Sequence, residues 1–348
     1  MTTAAIRLLP GDPAPWFHAP GAGNPRYAFS SVAGRYVLLA FPGAAPGVAA
    51  TAHAALLAAR EEGLLDDSRA AGFIIAPPGA EAGPDALPGL RTLLDRDGAI
   101  ARGYGAGEPL ALLLDPLLRV LATAPLARLP ALLDLLRRLP PPARHAGPET
   151  PAPVLLLPRI LEPDFCARLV DLYEAEGGQE SGFMVERDGK TIGTTDPGHK
   201  RRRDLLLEDP EIQAALRARL QRRLLPEIRK AFQFRATRIE RYIVACYDAA
   251  EGGHFRAHRD NTTAGTAHRR FAVTINLNEE FEGGALWFPE FGPRRYRPPM
   301  GGAVVFSCSL LHEATPVTRG RRYATLPFLY DEAGAALREA NLKHLAAG

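Results

Sequence analysis

The chain has 348 residues, 46% of them hydrophobic, with 42 Lys and Arg against 39 Asp and Glu for a net charge of +3. That length is about twice a typical domain, so two hydrophobic cores are expected. So small a charge imbalance gives no argument for nucleic acid or a membrane surface as partner, and no apolar run reaches the roughly 18 residues of a spanning helix.

In chain order, the first half alternates strand-like and helix-like segments. Tyr36–Phe41, residues 72–76 and Leu110–Leu114 are short apolar runs, while residues 49–62 and Leu129–Arg138 carry helix-forming composition. Strands separated by helices predict an α/β layer. Three stretches, Gly11-Asp12-Pro13-Ala14-Pro15-Trp16-Phe17, Phe41-Pro42, and Leu94-Asp95-Arg96-Asp97-Gly98 through Gly105, together resemble the peroxiredoxin-like group of thioredoxin folds. The resemblance implies a reactive thiolate seven residues after Pro42, where this chain has Ala49, and its first cysteine is Cys166. Residues 1–140 are therefore expected to be a thioredoxin-like α/β domain without redoxin chemistry, which requires the thiolate. Its expected role is a packing partner, a homodimer surface or a lid.

Residues 141–153 are too rich in proline for helix or central strand and read as a stiff spacer before a second domain at 154–348. That domain opens with a helix-start pattern over 161–173. A second helix follows Asp209-Pro210, with Ile212, Leu216, Leu220, Leu224 and Ile228 along one side and Pro226 expected to kink or end it. Both helices should pack outside a β core. The basic run Arg201-Arg202-Arg203-Asp204 is expected to be a solvated loop, with steering of an anionic substrate as the second reading, and residues 182–199 are expected to form a mobile cover.

Next comes His258-Arg259-Asp260. On a strand, residues two apart project to the same side, so His258 and Asp260 would face together while Arg259 faces away. A third ligand has to come from another strand, and His312 follows the apolar run 302–308, which reads as one. Two imidazoles and a carboxylate on one face of an octahedral ion leave the opposite face open, the ligand set of non-haem Fe(II) oxygenases; a His/His/Asp zinc hydrolase stays open on ligand type alone. Residues 315–322 read as a turn entering a strand at 323–329, with Arg319, Arg321 and Arg322 available. A guanidinium holds a carboxylate by two parallel bonds, and Arg322, beside the strand start, is the expected anchor while the other two face solvent.

These pieces, with Val244-Ala245-Cys246-Tyr247, Leu277-Asn278 and Phe281-Glu282-Gly283-Gly284, resemble the prolyl 4-hydroxylase-like branch of the Fe(II)/2-oxoglutarate dioxygenases over residues 244–332. The resemblance implies an α+β double-stranded β-helix, jelly-roll or cupin-like, with supporting helices. It implies His258, Asp260 and His312 as iron ligands and Arg322 as partner of the distal carboxylate of 2-oxoglutarate. Tyr247 and Asn276 stand at further co-substrate positions, Asn276 in place of an aromatic. It also implies ascorbate as the reductant that maintains Fe(II), decarboxylation of 2-oxoglutarate to succinate and CO2 coupled to C–H hydroxylation, and a prolyl peptide or amino-acid-like substrate. A scaffold built from two decayed enzymes is the alternative; it has the missing thiol in its favour and the complete ligand set against it. Cys166, Cys246 and Cys308 are scattered without CxxC spacing, and the first seven residues do not resemble a leader, so a cytoplasmic protein with reduced thiols is expected.

Overall fold

The computed structural model describes residues 8–44, 47–80, 87–187 and 189–345, so the opening residues 1–7 lie outside the described ones. The chain divides into two compact units. One runs up to Pro151 and includes Pro289–Pro293; the other comprises Ala152–Phe288 and the chain from Arg294 onward.

In the first unit a seven-stranded sheet has the order Asn24–Ala28, His18–Gly21, Leu90–Leu94, Ala70–Ala76, Tyr36–Phe41, Leu110–Leu114, Val120–Pro125. The three central strands from Leu90 to Phe41 in that order run parallel, and the last two are antiparallel additions. Tyr36–Phe41 and Ala70–Ala76 are buried along their whole length, as a strand covered on both faces must be, which is why they read as apolar runs without alternation. The helices Val48–Glu61 and Leu129–Arg138 pack on this sheet through Leu56, Leu133 and Leu136 against Leu38, Ile74 and Leu113. The proline-rich stretch starts tied down: the Tyr36 hydroxyl donates to the Pro140 carbonyl at 2.9 Å, and Pro142–Arg144 forms a single 3-10 turn.

The second unit has two principal sheets. The larger runs Arg238–Glu240, Phe328–Tyr330, Phe271–Asn276, Val317–Thr325, Ile243–Asp248, Arg203–Leu206, Gln179–Glu180, with Ala303–Ser307 and Leu155–Leu157 added beside Phe271–Asn276. The smaller runs Lys200–Arg201, His254–His258, His312–Ala314, Leu286–Trp287, Arg295–Tyr296. Alternation gives the large sheet two chemically different faces. Val244, Cys246, Val273, Ile275, Val305 and Tyr323 join the helices Pro163–Glu176, Pro210–Arg219 and Leu225–Phe232 in one apolar core. Their neighbours Ala245, Tyr247, Asn276, Arg322 and Ala324 consequently point the other way.

Leu216, Leu220, Leu224 and Ile228 keep one line into that core although Pro226 interrupts the helix. The interruption is absorbed by a π turn over Leu220–Leu224, after which Pro226 lies in the first turn of Leu225–Phe232, where its missing N–H costs nothing.

Four expectations are corrected. Residues 182–199, expected as a loop, contain a regular hairpin, Phe183–Arg187 with Lys190–Thr194. It is held down because Thr191 Oγ1 accepts from the Gly265 amide at 2.9 Å and Lys190 Nζ donates to the Lys343 carbonyl at 2.6 Å. The run 201–204 lies in two short strands, Lys200–Arg201 and Arg203–Leu206, rather than in a solvated loop, and Arg202 between them is buried. Residues 317–322, expected as a turn, are extended within Val317–Thr325 because Phe281–Gly283 supplies a pairing strand. The strand expected over 323–329 breaks after Thr325, where Pro327 has no N–H to offer a ladder.

Among the described residues no helix is long and apolar enough to cross a membrane. Leu220 is fully buried in the helix–sheet core. Leu220→Ala should therefore lower unfolding free energy by about 2–5 kcal/mol, measured by chemical denaturation; a loss below about 1 kcal/mol would contradict the packing described.

Candidate metal centre and anion pocket

Three ligands come together in the smaller sheet. His258 ends its strand and lies directly across from His312, the first residue of the neighbouring strand, with ring centroids 4.3 Å apart. Asp260 sits just past the strand, in a turn, and not on the same strand as His258 as expected. Its amide donates to the Cys308 carbonyl at 3.0 Å, which turns the chain and brings the carboxylate back over the histidines. His312 likewise begins a strand of its own: Ala303–Ser307 belongs to the larger sheet, and the chain crosses over before His312.

One carboxylate oxygen of Asp260 lies 3.4 Å from His258 Nε2, and the other 3.4 Å from His312 Nε2. One ligand atom from each residue lies within 4.8 Å of the others. Bonds of about 2.1 Å to one ion set cis ligand atoms roughly 3 Å apart, so the trio needs little adjustment to share a metal. The backbone has already chosen the tautomers. His258 Nδ1 is 2.7 Å from the Arg256 carbonyl and His312 Nδ1 3.0 Å from the Leu310 carbonyl; a carbonyl only accepts, so Nδ1 carries the proton and Nε2 keeps its lone pair for a cation. Phe255 stacks on His258 with centroids 3.5 Å apart, and Phe306 packs against His312 at 4.5 Å, restricting both rings.

Protonation states agree with ligation. Burial alone would raise Asp260, but His312 and His258 outweigh it and hold the carboxyl well below its usual range. Burial, reinforced by His258, pushes His312 down to about 4. Among the described residues this is the one group of three or more His, Cys, Asp or Glu arranged to hold a metal ion.

An anion pocket lies on the inward face of the larger sheet. Arg322, 2% exposed, stands opposite Tyr247 in the strand register, with its guanidinium 5.2 Å from the tyrosine ring centre. Its Nε donates to Asn276 Oδ1 at 3.1 Å, and Asn276 Nδ2 donates to the Pro298 carbonyl at 2.8 Å. No carboxylate among the described residues meets the terminal nitrogens of Arg322. Burial, with Arg202 and Arg297 nearby, pushes it down to about 10 despite Tyr247. A buried guanidinium without a counter-ion is costly, so its fork is built for an anion supplied from outside. Arg319 and Arg321 are engaged elsewhere: Arg319 bonds Glu282 in solvent, and Arg321, one step out of phase with Arg322, bonds Asp248 and Glu174.

Sequence reasoning missed the layer behind Tyr247. Arg202 Nη1 donates to the Tyr247 hydroxyl at 3.3 Å while the rest of its fork binds Asp204. The signal was present, since Arg202 and Asp204 are two apart and share one face of an extended chain.

Residues 242–330 match the family model described as the 2OG-Fe(II) oxygenase superfamily. A PKHD-type hydroxylase from a Synechococcus species is 28% identical over 130 residues, covering 35% of this chain and 55% of that protein. A PKHD-type hydroxylase from Pseudomonas fluorescens is 35% identical over 92 residues, covering 24% of this chain and 40% of that protein. The chain thus spans about half the length of these curated relatives. A solved prolyl-4-hydroxylase from Pseudomonas putida is 16% identical, covers 51% of this chain and 92% of its own, and superposes with a TM-score of 0.38.

His312 should remain neutral well below the ordinary histidine range. Its ring 15N shifts, followed by NMR in the metal-free protein, should show the Nδ1-protonated tautomer at pH 6 and protonation only as pH approaches about 4. Because the unfolded chain takes up this proton near pH 6.5, the group costs stability progressively as pH falls from there towards 4. A His312 midpoint above pH 6 would contradict the burial described.

Proposed function

We propose, on the premise that residues 242–330 carry a 2OG-Fe(II) oxygenase domain, that the protein is an Fe(II)- and 2-oxoglutarate-dependent dioxygenase. His258, Asp260 and His312 bind the iron, and Arg322 binds the distal carboxylate of 2-oxoglutarate. The observation that carries this reading is a His/Asp/His trio in the same unit as a buried guanidinium that meets no carboxylate among the described residues. Iron with 2-oxoglutarate and dioxygen would supply the oxidising power needed to hydroxylate an unactivated C–H bond, one oxygen atom going to the new hydroxyl and the other to succinate as 2-oxoglutarate loses CO2.

The chain's own part is orientation. Asn276 accepts from Arg322 and donates to the Pro298 carbonyl, so it aims the guanidinium and keeps a second N–H for the co-substrate. Tyr247 forms the wall beside Arg322, held by Arg202. The carbonyls of Arg256 and Leu310 hold the ligand tautomers, and Phe255 and Phe306 keep the rings in place. We read the unit's two sheets as a double-stranded β-helix, ascorbate as the reductant that keeps the iron ferrous, and hydroxylation as the outcome, of the prolyl or amino-acid-like kind suggested by the PKHD-type relatives. The first unit is read as a redoxin-like fold: strand, helix and parallel strand followed by an antiparallel pair and a helix support it, and Ala49 in place of the thiolate speaks against peroxidase chemistry.

Purified protein with Fe(II), ascorbate and 2-oxoglutarate should release succinate slowly without substrate. Asp260→Ala should abolish release. Arg322→Ala should raise the KM for 2-oxoglutarate about 30-fold or more, corresponding to the ~2 kcal/mol or more lost when a charge-assisted pair is broken. Folded, iron-loaded protein that makes no succinate would favour a non-catalytic scaffold.

A further inference from the structure

Within the second unit two guanidiniums share one carboxylate, with a buried lysine beside them. Asp204 receives Arg202 through two bonds of 2.7 and 2.6 Å, Arg241 Nη2 at 3.2 Å and the Ser181 hydroxyl at 2.6 Å. Lys200 donates to Ser181 Oγ at 2.7 Å and to the Gly182 carbonyl. Lys200 and Arg202 are each 5% exposed. Burial, reinforced by Arg202, drives the Lys200 ammonium down to about 6. One carboxylate for two guanidiniums leaves an excess of positive charge at Asp204, which a fold sustains at a cost unless an anion joins it.

Arg241 is the member of the group that reaches outward. Its side chain is 27% exposed, and among the described residues its one hydrogen bond is that from Nη2 to Asp204, so Nε and Nη1 remain for another acceptor. Its backbone has φ +72, the left-handed region that a side-chain-bearing residue adopts only under constraint, and such constraint concentrates at functional positions. Phe328 lies beneath the guanidinium, 5.3 Å from ring centre to Cζ.

The group stands at the metal's end of the site. Lys200 pairs with Phe255 in the smaller sheet, its Nζ 4.9 Å from the ring centre, and Phe255 stacks on the His258 ring. Asp204, Ala245 and Ala324 lie side by side in the register of the larger sheet, and two alanines leave the inward face open between this group and the Arg322 pocket.

On the oxygenase reading above, we propose that Arg241, backed by Lys200, Arg202 and Asp204, determines specificity by binding a carboxylate of the primary substrate. The substrate is then a small amino-acid-type molecule whose free carboxylate lies close to the C–H bond attacked. A planar fork with two unused donors suits a carboxylate over a neutral amide, since bonds between ionised partners are about twice as strong.

The test uses full-length protein loaded with Mn(II) and 2-oxoglutarate, which binds without turning over. Equilibrium dialysis against a set of N-acetyl amino acids and their matched primary amides, read by mass spectrometry, should retain at least one acid about tenfold more strongly than its amide. Arg241→Gly removes the guanidinium and suits the left-handed backbone, so it should keep the melting temperature and 2-oxoglutarate affinity while the acid preference falls below about threefold. Arg241→Lys, with the charge but not the fork, should retain an intermediate preference. Equal retention of acids and amides by wild type, retention of neither, or an unchanged preference in both variants overturns the proposal. Wild type that fails to bind 2-oxoglutarate with Mn(II) overturns the oxygenase reading and this one with it.

Discussion

The pairing of His258 with His312 across two antiparallel strands is the constraint on which the candidate site depends. It brings together two rings far apart in sequence and leaves Asp260 only a short turn to close the trio. The same extended geometry ties each ring's Nδ1 to a carbonyl two residues earlier, so ligand orientation is a property of the strand and not an addition to it. A shift of one residue in this register would reverse the faces and scatter the ligands.

The larger sheet separates two environments with one rule. Its outward residues lose water against three helices, and that apolar burial holds the unit together. Its inward residues mix the polar Tyr247, Asn276 and Arg322 with the aromatic Phe306 and Phe328. Arg322 can then be buried without a protein carboxylate, because the register holds it on Tyr247 and Asn276 fixes its direction.

Positive charge is distributed unevenly over that inward face. Among the described residues Arg322 meets no carboxylate, Arg202 and Arg241 divide Asp204, and the Asp260 carboxylate is turned towards the histidines. On the proposed oxygenase reading Arg322 would meet the dianionic co-substrate, which leaves Arg202 and Arg241 as further positive charge on the same face.

Much of this was legible in the sequence where the signal is local. The apolar runs Tyr36–Phe41 and Leu110–Leu114, the four-residue spacing from Ile212 to Ile228 and the Asp209-Pro210 helix start all correspond to observed elements, because periodicity and caps act within a few residues. Residue types alone singled out His258, Asp260, His312 and Arg322, since few side chains can hold a metal or fork a carboxylate. What the tertiary structure decided was where each of these stands and what surrounds it. Asp260 lies in a turn because Cys308, distant in sequence, takes its amide; residues 317–322 are strand because Phe281–Gly283 pairs with them; Arg202 is buried because Tyr247 and Asp204 receive it. The sequence by itself determined the chemistry available to this protein, because that resides in single side chains; burial, register and counter-ion pairing depend on partners brought from elsewhere in the chain, and only folding supplies them.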